Sequence, residues 1–548
     1  MRLPTFDWPS LRAGARRHVN LYSLALGAIL VAAVALRAYH LGDQSLWIDE
    51  VDEGTTARSD LGHFLANVRT DYGAAPLDYL AVKVVLTILG RHGTLATRAW
   101  AIAMGCLAVW LTYRLARSLF HDRLLCLIAV FMLAFSAFHI YYSQEARFYA
   151  FAVVAGTVQL IAFFHALDAR TVRSWLLVTL ATVVALYTHY FLALLLPVEG
   201  IYLLGEYVWR LARRDGSITL GRAAGQLGLG AASQAVGVTA LLPWLVYALP
   251  AQLQAGYDRL PPLGFDRVHQ IFVVLVGLAP LNSVQATNSG QTRMANVVLG
   301  LAAIGLVSSL KAGNARVLVP AGAIALAIPL AWTSDQIGRY FWAERQVIFV
   351  LVPLYLVAAA GARTLLVAFR WAAERALRHG LLDLTAGDPR QLSVAMVTGL
   401  AMGLAGFWAA AYWGPIQQIY ANQWITKEDW RGASQFALAT SCPDTRFWSY
   451  AAAKYSYGIG YYDDRILERG RWLFVLPDGT FDASISDDAA RQPIRPDDWI
   501  VTNLQYAELA TPSGTEDAIL QRRGWKPTAF GGVIVYTRGA CTTTASSA

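Results

Sequence analysis

Two adjacent carboxylates, Asp49 and Glu50, follow the first long apolar run of the chain, in the segment Ser45-Leu46-Trp47-Ile48-Asp49-Glu50. Their neighbours are large apolar side chains, so both acids face surroundings of low polarity. Carboxylates in such surroundings find cationic partners or take up protons, and such places are often sites of chemistry. Asp49 and Glu50 are therefore the first candidates for catalytic residues. The alternative is structural, because the first turn of a helix after Trp47 would also favour negative charge.

The composition is that of a membrane protein. Hydrophobic residues make up 56% of the 548 residues and charged residues 15%, with a mean hydropathy of +0.40; soluble domains hold roughly 25% charged residues. Apolar runs of about 17 to 25 residues recur over the first three quarters of the chain, and a helix needs this length to cross a bilayer. The net charge of +8 does not indicate a nucleic-acid partner, because many arginines lie in short loops, where they set membrane orientation.

The arginines predict the orientation of each span. Arg12, Arg16 and Arg17 precede the run Leu21–Ala38, which places the N-terminus in the cytoplasm and delivers Asp49 and Glu50 to the outside. This run is predicted to be a retained anchor, since no small-residue cleavage site follows it. About eleven spans result, at 21–38, 95–115, 124–142, 148–167, 175–189, 191–209, 223–249, 296–310, 317–332, 346–360 and 392–412. Two shorter apolar runs, 76–90 and 271–281, are predicted to lie at the outer surface.

The chain becomes polar after residue 413. We therefore predict a membrane domain over 1–413, with a first outer loop at about 40–94, and a small extracytoplasmic α/β domain over 414–548. Helices are expected at 427–439 and near 517–523, and strands at 447–450, 472–476, 499–502 and 533–536. Cys442 and Cys541 flank this domain, either as a disulfide or as two free thiols, whereas Cys106 and Cys126 lie in spans as packing residues.

Three motifs occur in a fixed order along the chain. They are Leu41-Gly42 with Leu46-Trp47 and Asp49-Glu50, Ala75-Pro76-Leu77-Asp78-Tyr79-Leu80, and Tyr142-Ser143-Gln144-Glu145-Ala146-Arg147-Phe148-Tyr149. In this order they resemble the GT-C glycosyltransferases, closest to the branch of the protein O-mannosyltransferases and the aminoarabinose and galacturonic acid transferases of lipid A. Arg339-Tyr340 and the segment from Glu428 to Ala433 are similar to patterns of the bacterial family 39 members. The resemblance covers nearly the whole chain.

The resemblance implies an inverting transfer of sugar from a polyprenyl-phosphate carrier to an acceptor hydroxyl, outside the bacterial cytoplasmic membrane. A carboxylate can take the proton of the attacking hydroxyl, and this role falls to Asp49. Glu50 would orient Asp49 or bind sugar or acceptor. The departing lipid phosphate needs cationic donors. The donor-phosphate candidates are Arg147, Arg339, Tyr149, Tyr340 and Gln144, and the further substrate contacts are His189, Glu145 and Arg345.

Structural alternatives stay open for these polar residues. Arg147 can extend from a helix end to water or pair with Glu145. Arg339 and Arg345 can form ion pairs with Asp335 and Glu344. His189 can be a hydrogen-bonded residue of a helix interface.

Other function classes have less support in the sequence. The absence of a nucleotide-binding loop, a nucleophile elbow and a zinc-spaced cluster argues against ATP-driven transport and zinc hydrolysis. No metal site is assigned, although Asp49, Glu50 and Asp52 leave a divalent cation open. A secondary transporter or lipid-linked sugar flippase is the main alternative, but the spans hold few charges and no internal repeat. A membrane scaffold is a further alternative, but it leaves Asp49-Glu50 and the segment 143–147 unexplained. The sugar, and whether the acceptor is glycan, lipid or protein, stay open.

Overall fold

The chain folds into two compact units. The computed structural model describes residues 15–71, 73–90, 93–212, 219–254, 268–276, 289–338, 344–379, 388–421, 427–449, 458–463, 465, 470–471, 497–503 and 520–538. The helical unit comprises residues 1–39, 65–78 and 101–424, and the sheet unit comprises 40–64, 79–100 and 425–548.

Helices account for most of the described residues. They are α1 Ala15–Ala38, α2 Ile48–Arg58, α3 Leu61–Thr70, α4 Pro76–Leu89, α5 Thr94–Phe120, α6 Arg123–Ala134, α7 Ala137–Ser143, α8 Tyr149–Ala169, α9 Val172–Thr188, α10 Leu195–Ala212, α11 Leu220–Gln254, α12 Val268–Val276, α13 Ser289–Lys311, α14 Leu318–Gly338, α15 Leu351–Arg378, α16 Pro389–Tyr420 and α17 Trp430–Thr440. Short 3-10 turns at Tyr190–Leu194, Ala315–Val317 and Glu344–Val350 precede α10, α14 and α15.

The predicted multi-pass membrane architecture is confirmed. Within the described residues, nine helices are long and apolar enough to cross a bilayer, and α6 with α7, bent by 59° at their break, would make a tenth. The remaining predicted span corresponds to α9, an apolar helix of 17 residues. The two runs judged too short to span form α4 and α12, and their location at the membrane surface stays a prediction.

Polar side chains at the helix starts explain several of the boundaries. The carboxylate of Asp122 accepts a hydrogen bond from the Leu125 amide at 2.9 Å and begins α6. Asp388 caps α16 in the same way, and Pro389 occupies its first turn, where a missing amide hydrogen costs nothing. These caps satisfy amide groups that a helix start leaves without an intrahelical partner.

The sheet unit contains one five-stranded mixed sheet. Strand β1 pairs in parallel with β2 and β3, while β5 pairs antiparallel with β3 and β4. Three of the predicted strands are present; 472–476 lies outside the described residues, and β4 was not predicted. The strands are β1 Phe447–Ser449, β2 Gly470–Arg471, β3 Trp499–Asn503, β4 Lys526–Phe530 and β5 Val533–Thr537, in the sheet order β2-β1-β3-β5-β4.

The first loop shares the core of the sheet unit. Leu46, Ile48 and Val51, all fully buried, pack in one apolar cluster with Trp430 of α17 and with residues of β3 and β5. A burial of this kind stabilises each large apolar side chain by about 1.5–3 kcal/mol. The predicted domain boundary at residues 413 and 414 separates these segments, whereas in the structure they form one unit that fixes α2.

The cysteines divide into two classes. Cys442 is disulfide-bonded, and Cys541, its predicted partner, lies outside the described residues. Cys106 and Cys126 are free thiols in α5 and α6.

Candidate active site

Glu50 lies at the centre of a buried charge cluster in the sheet unit. Arg98 donates to both of its oxygens, from Nε to Oε1 and from Nη2 to Oε2, at 2.7 Å each. Lys427 Nζ donates to Oε2 at 2.9 Å. All three side chains are almost completely buried, and their charges sum to one positive charge. Bidentate ion pairs are strong, and removing one partner of a buried pair destabilises the fold because the other charge stays buried without compensation.

The same arginine also shapes the loop before α2. Its Nη1 donates to the carbonyls of Leu41 and Gln44 at 2.8 and 3.2 Å, and its Nη2 to that of Ser45 at 3.0 Å. The Glu50 carboxylate accepts a further hydrogen bond from the Trp47 amide at 3.3 Å. Glu50 therefore fixes the loop and the first turn of α2, and its carboxylate is already occupied.

Asp49 has the opposite environment. It is half-buried in the first turn of α2, where the helix dipole favours a negative charge. No hydrogen bond or ion pair joins its side chain to any other residue that the structure describes. Of the two adjacent acids, Asp49 is thus the one whose carboxylate can accept a proton from a ligand.

The segment from Glu428 to Ala433, near the start of the C-terminal region, also contacts the loop before α2. Glu428 Oε2 accepts from the Ile48 amide at 3.0 Å, and the Arg431 amide donates to Ser45 Oγ at 3.1 Å. Arg431 Nη1 donates to the Gly42 carbonyl at 2.7 Å. These contacts give the motif a positioning role in the sheet unit.

Tyr461 packs closely against α2. Its hydroxyl bonds Thr97 Oγ1 at 2.7 Å, and burial raises the pKa of Tyr461 to about 12, so the hydroxyl stays neutral. A Cβ on Gly54 would lie 2.3 Å from this hydroxyl oxygen, so α2 can approach Tyr461 only because residue 54 is glycine.

Arg147 is the buried cation of the second candidate group, in the helical unit. It lies between α7 and α8, its Nη2 is 3.4 Å from Asp71 Oδ2, and its guanidinium carbon is 5.6 Å from the centre of the Phe148 ring. The segment that carries Asp71 is held by the Tyr190 hydroxyl and the Gln252 amide, which both donate to the Ala74 carbonyl at 2.9 Å.

A continuous row of aromatic rings joins Arg147 to Arg345. The guanidinium carbon of Arg345 lies 5.7 Å from the centre of the Tyr149 ring, and the rings of Tyr149 and Phe148 are 4.5 Å apart. A cation over a ring face is attracted by its quadrupole, more so when desolvated. The structure therefore brings together four predicted site residues in one group, namely Arg147, Tyr149, Arg345 and His189.

His189 is a buried imidazole in this group. Its ring stacks on Phe148 at 4.7 Å, and its Nε2 donates to the Gln346 carbonyl at 2.8 Å. Since Gln346 follows Arg345 directly, this bond holds the turn that carries Arg345.

The other predicted residues have different positions. The amide nitrogen of Gln144 donates to the carbonyls of Arg37 and Tyr39 at 2.9 and 2.8 Å, so it caps the end of α1. Glu145 is buried beside it. Arg339 and Tyr340 lie outside the described residues. Within the described part of the chain, no three His, Cys, Asp or Glu side chains are grouped to hold a metal ion.

Several residues of these groups were missed from the sequence, namely Arg98, Lys427 and Asp71. One signal was available. Arg37 and Arg98 lie at the ends of spans predicted to face outward, against the tendency of arginine to stay inside. An arginine in an apolar segment on that side indicates a buried partner.

The comparisons with known proteins agree with this architecture. Residues 74–224 match the family model described as dolichyl-phosphate-mannose-protein mannosyltransferase. ArnT from Cupriavidus metallidurans in the apo state has the same fold at 12% identity, with 95% of this chain and 98% of that chain covered and a TM-score of 0.53. The oligosaccharyltransferase of Archaeoglobus fulgidus, tethered with an acceptor peptide, matches at 13% identity, with coverages of 95% and 74% and a TM-score of 0.52. A search of curated proteins found no significant match.

Together these comparisons show the fold of the chain. The chain has the GT-C fold, and residues 74–224 match the mannosyltransferase family model. The resemblance read from the motifs is thereby confirmed.

Proposed function

We propose that this protein is an inverting glycosyltransferase that moves a sugar from a polyprenyl-phosphate carrier to an acceptor hydroxyl. The reaction takes place at the outer face of the bacterial cytoplasmic membrane, with the N-terminus in the cytoplasm and the C-terminal segment outside. The family model supports this reaction class. The archaeal oligosaccharyltransferase solved with dolichol-phosphate, whose fold is similar at a TM-score of 0.50, supports a lipid phosphate as the donor class.

The carboxylate of Asp49, which has no partner among the residues that the structure describes, lies directly beside the fully paired Glu50, and this is the observation that carries the proposal. In the reaction, the acceptor oxygen attacks the anomeric carbon and forms the new glycosidic bond. The bond from that carbon to the phosphate oxygen breaks, and its electron pair stays on the departing phosphate oxygen. Asp49 takes the acceptor proton, and general-base catalysis of this kind contributes about 10²–10⁴-fold in rate. Glu50 acts through the loop, by holding the first turn of α2 in place.

The arginine group of the helical unit has the chemistry to stabilise the departing phosphate. Arg147 and Arg345 provide guanidinium donors in surroundings of low polarity, where charge-assisted hydrogen bonds are strong. The bond of Arg147 to Asp71 is long at 3.4 Å, so a phosphate oxygen can compete for the guanidinium. The Tyr149 ring lies against the Arg345 guanidinium and helps to hold it. Arg339 and Tyr340 keep the same role on the strength of their motif.

Mass spectrometry of lipids that copurify with the protein tests the donor class. We expect a polyprenyl phosphate or its sugar conjugate with the wild type and with Asp49→Asn. Arg147→Ala should reduce the lipid at least about tenfold, because a charged hydrogen bond is lost. Arg378→Ala is the matched control, since that arginine is half-exposed near the end of α15 and pairs with Glu374. A wild type that retains no polyprenyl lipid contradicts the proposal.

A further inference from the structure

Arg37 is a fully buried cation near the end of α1 in the helical unit. Its Nη1 donates to the carbonyls of Ala33 and Ala134 at 3.0 and 3.1 Å, and its Nη2 to the Leu133 carbonyl at 3.2 Å. Within the described residues no carboxylate forms an ion pair with it. A buried charge without a counter-charge is costly unless its hydrogen bonds are satisfied. The carbonyl dipoles offset part of this cost, while the Arg37 Nε has no hydrogen-bond partner among the described residues.

Two of those carbonyls belong to the last turn of α6, where the predicted span breaks. Helix α6 ends at Ala134, and α7 continues at an angle of 59° after a two-residue break. The last carbonyls of a helix have no intrahelical partner, and inside a membrane water cannot replace one. The guanidinium of Arg37 provides the donors that this break requires.

His139 of α7 completes the contact. Arg37 Nη2 donates to His139 Nδ1 at 2.8 Å. Because Arg37 has only donors, Nδ1 must be the unprotonated nitrogen, and the imidazole is neutral. Arg37 thus binds both halves of the bent span, the end of α6 and the first turns of α7.

A second contact joins the bent span to the end of α1. Gln144, which follows α7 directly, donates to the Arg37 and Tyr39 carbonyls. Ser143 packs on α5 so closely that a Cβ on Gly105 would lie 2.3 Å from Ser143 Oγ. Arg147 follows Gln144 by three residues, so the chain that leads to Arg147 is fixed at both of these contacts.

We propose that Arg37 is a positioning residue that holds the bent span α6–α7 against α1 and thereby sets Arg147 to bind the donor phosphate. It acts through Arg147 and touches no substrate. The inference rests on the proposed function only in its last step, the use of Arg147 for the phosphate.

The variants His139→Leu and His139→Asn separate this role from general stability. The asparagine carboxamide offers an acceptor close to the position of Nδ1, whereas leucine offers none. We expect His139→Leu to weaken the binding of undecaprenyl phosphate in nanodiscs about tenfold, since one charged hydrogen bond is lost. His139→Asn should restore affinity to within about twofold. Tyr420→Phe is the matched control, because it removes the hydroxyl that bonds the Leu36 carbonyl at the same end of α1 and leaves His139 in place.

Undecaprenol, the same lipid without phosphate, provides the second readout. A positioning role for Arg147 predicts that His139→Leu leaves undecaprenol affinity unchanged, whereas general loosening of the fold weakens both lipids equally. Equal weakening of both lipids, or equal loss in Tyr420→Phe, overturns the inference. Wild-type protein that does not prefer the phosphate over undecaprenol overturns the proposed function itself. Hydrogen exchange of residues 135–147 in lipid-free protein, expected to be faster in His139→Leu alone, tests the Arg37 contact independently.

Discussion

Arg98 donates to both carboxylate oxygens of Glu50 at 2.7 Å, and this contact assigns different roles to two acids that are neighbours in sequence. Glu50 forms ion pairs with Arg98 and Lys427 inside the sheet unit. Asp49 is half-buried and has no partner among the described residues. One carboxylate therefore stabilises the loop and the other stays available for chemistry.

Replacing each acid by its amide should separate stability from activity. Glu50→Gln leaves the charges of Arg98 and Lys427 buried without a counter-charge, which costs about 3–5 kcal/mol of unfolding free energy. Asp49→Asn should lower that free energy by less than about 1 kcal/mol, since only the favourable interaction of its charge with the helix dipole is lost. Thermal unfolding of both purified variants checks this. If Glu50→Gln unfolds like the wild type, the charge cluster does not hold the loop.

The two cations of the cluster should differ in their contribution to stability. Lys427→Met leaves a neutral bidentate pair and should cost about 1–2 kcal/mol. Arg98→Met also leaves the Leu41, Gln44 and Ser45 carbonyls without their donor and should cost about 3–5 kcal/mol. Denaturant or thermal unfolding ranks the two variants. The reverse order would show that Lys427 is the main partner of Glu50.

The close approach of α2 to Tyr461 predicts a specific rescue. Gly54→Ala should destabilise the sheet unit by about 1–3 kcal/mol, because the new Cβ overlaps the tyrosine hydroxyl. Adding Tyr461→Phe removes that oxygen and frees the ring from Thr97. A double-mutant cycle of melting temperatures should therefore give a favourable coupling. Additive effects would mean that Gly54 matters for another reason.

Much of the helical architecture was predictable, because hydropathy and arginine positions report directly on a membrane. Arg147 and Tyr149 were candidates from one motif, whereas Arg345 was a separate candidate whose place beside Tyr149 was not predicted. The break between α6 and α7 was not predicted, since no proline or glycine marks it; its one local signal is Ser136, whose side chain caps α7. Strand β4 was missed because Lys526 and Pro527 are unusual in a strand, and the edge of the sheet is where proline is tolerated.

The roles of the two acids depended on partners distant in sequence. Arg98 is 48 residues from Glu50, and Lys427 is 377 residues away. No local sequence pattern indicates which of two adjacent carboxylates will form an ion pair with such distant cations. Gln144 shows the same limit: its motif suggested the donor, whereas its amide caps α1.

Single-turnover conversion of copurified donor tests the central claim most directly. Wild-type protein, Asp49→Asn and the exposed-loop control Asp43→Asn are loaded with their lipid, mixed with an acceptor-containing membrane extract, and followed by mass spectrometry of the carrier. We predict that Asp49→Asn retains the glycosylated lipid and converts it at least about 100-fold more slowly, while Asp43→Asn converts it at the wild-type rate. Conversion by Asp49→Asn at the wild-type rate, with donor bound, would show that Asp49 is not the base.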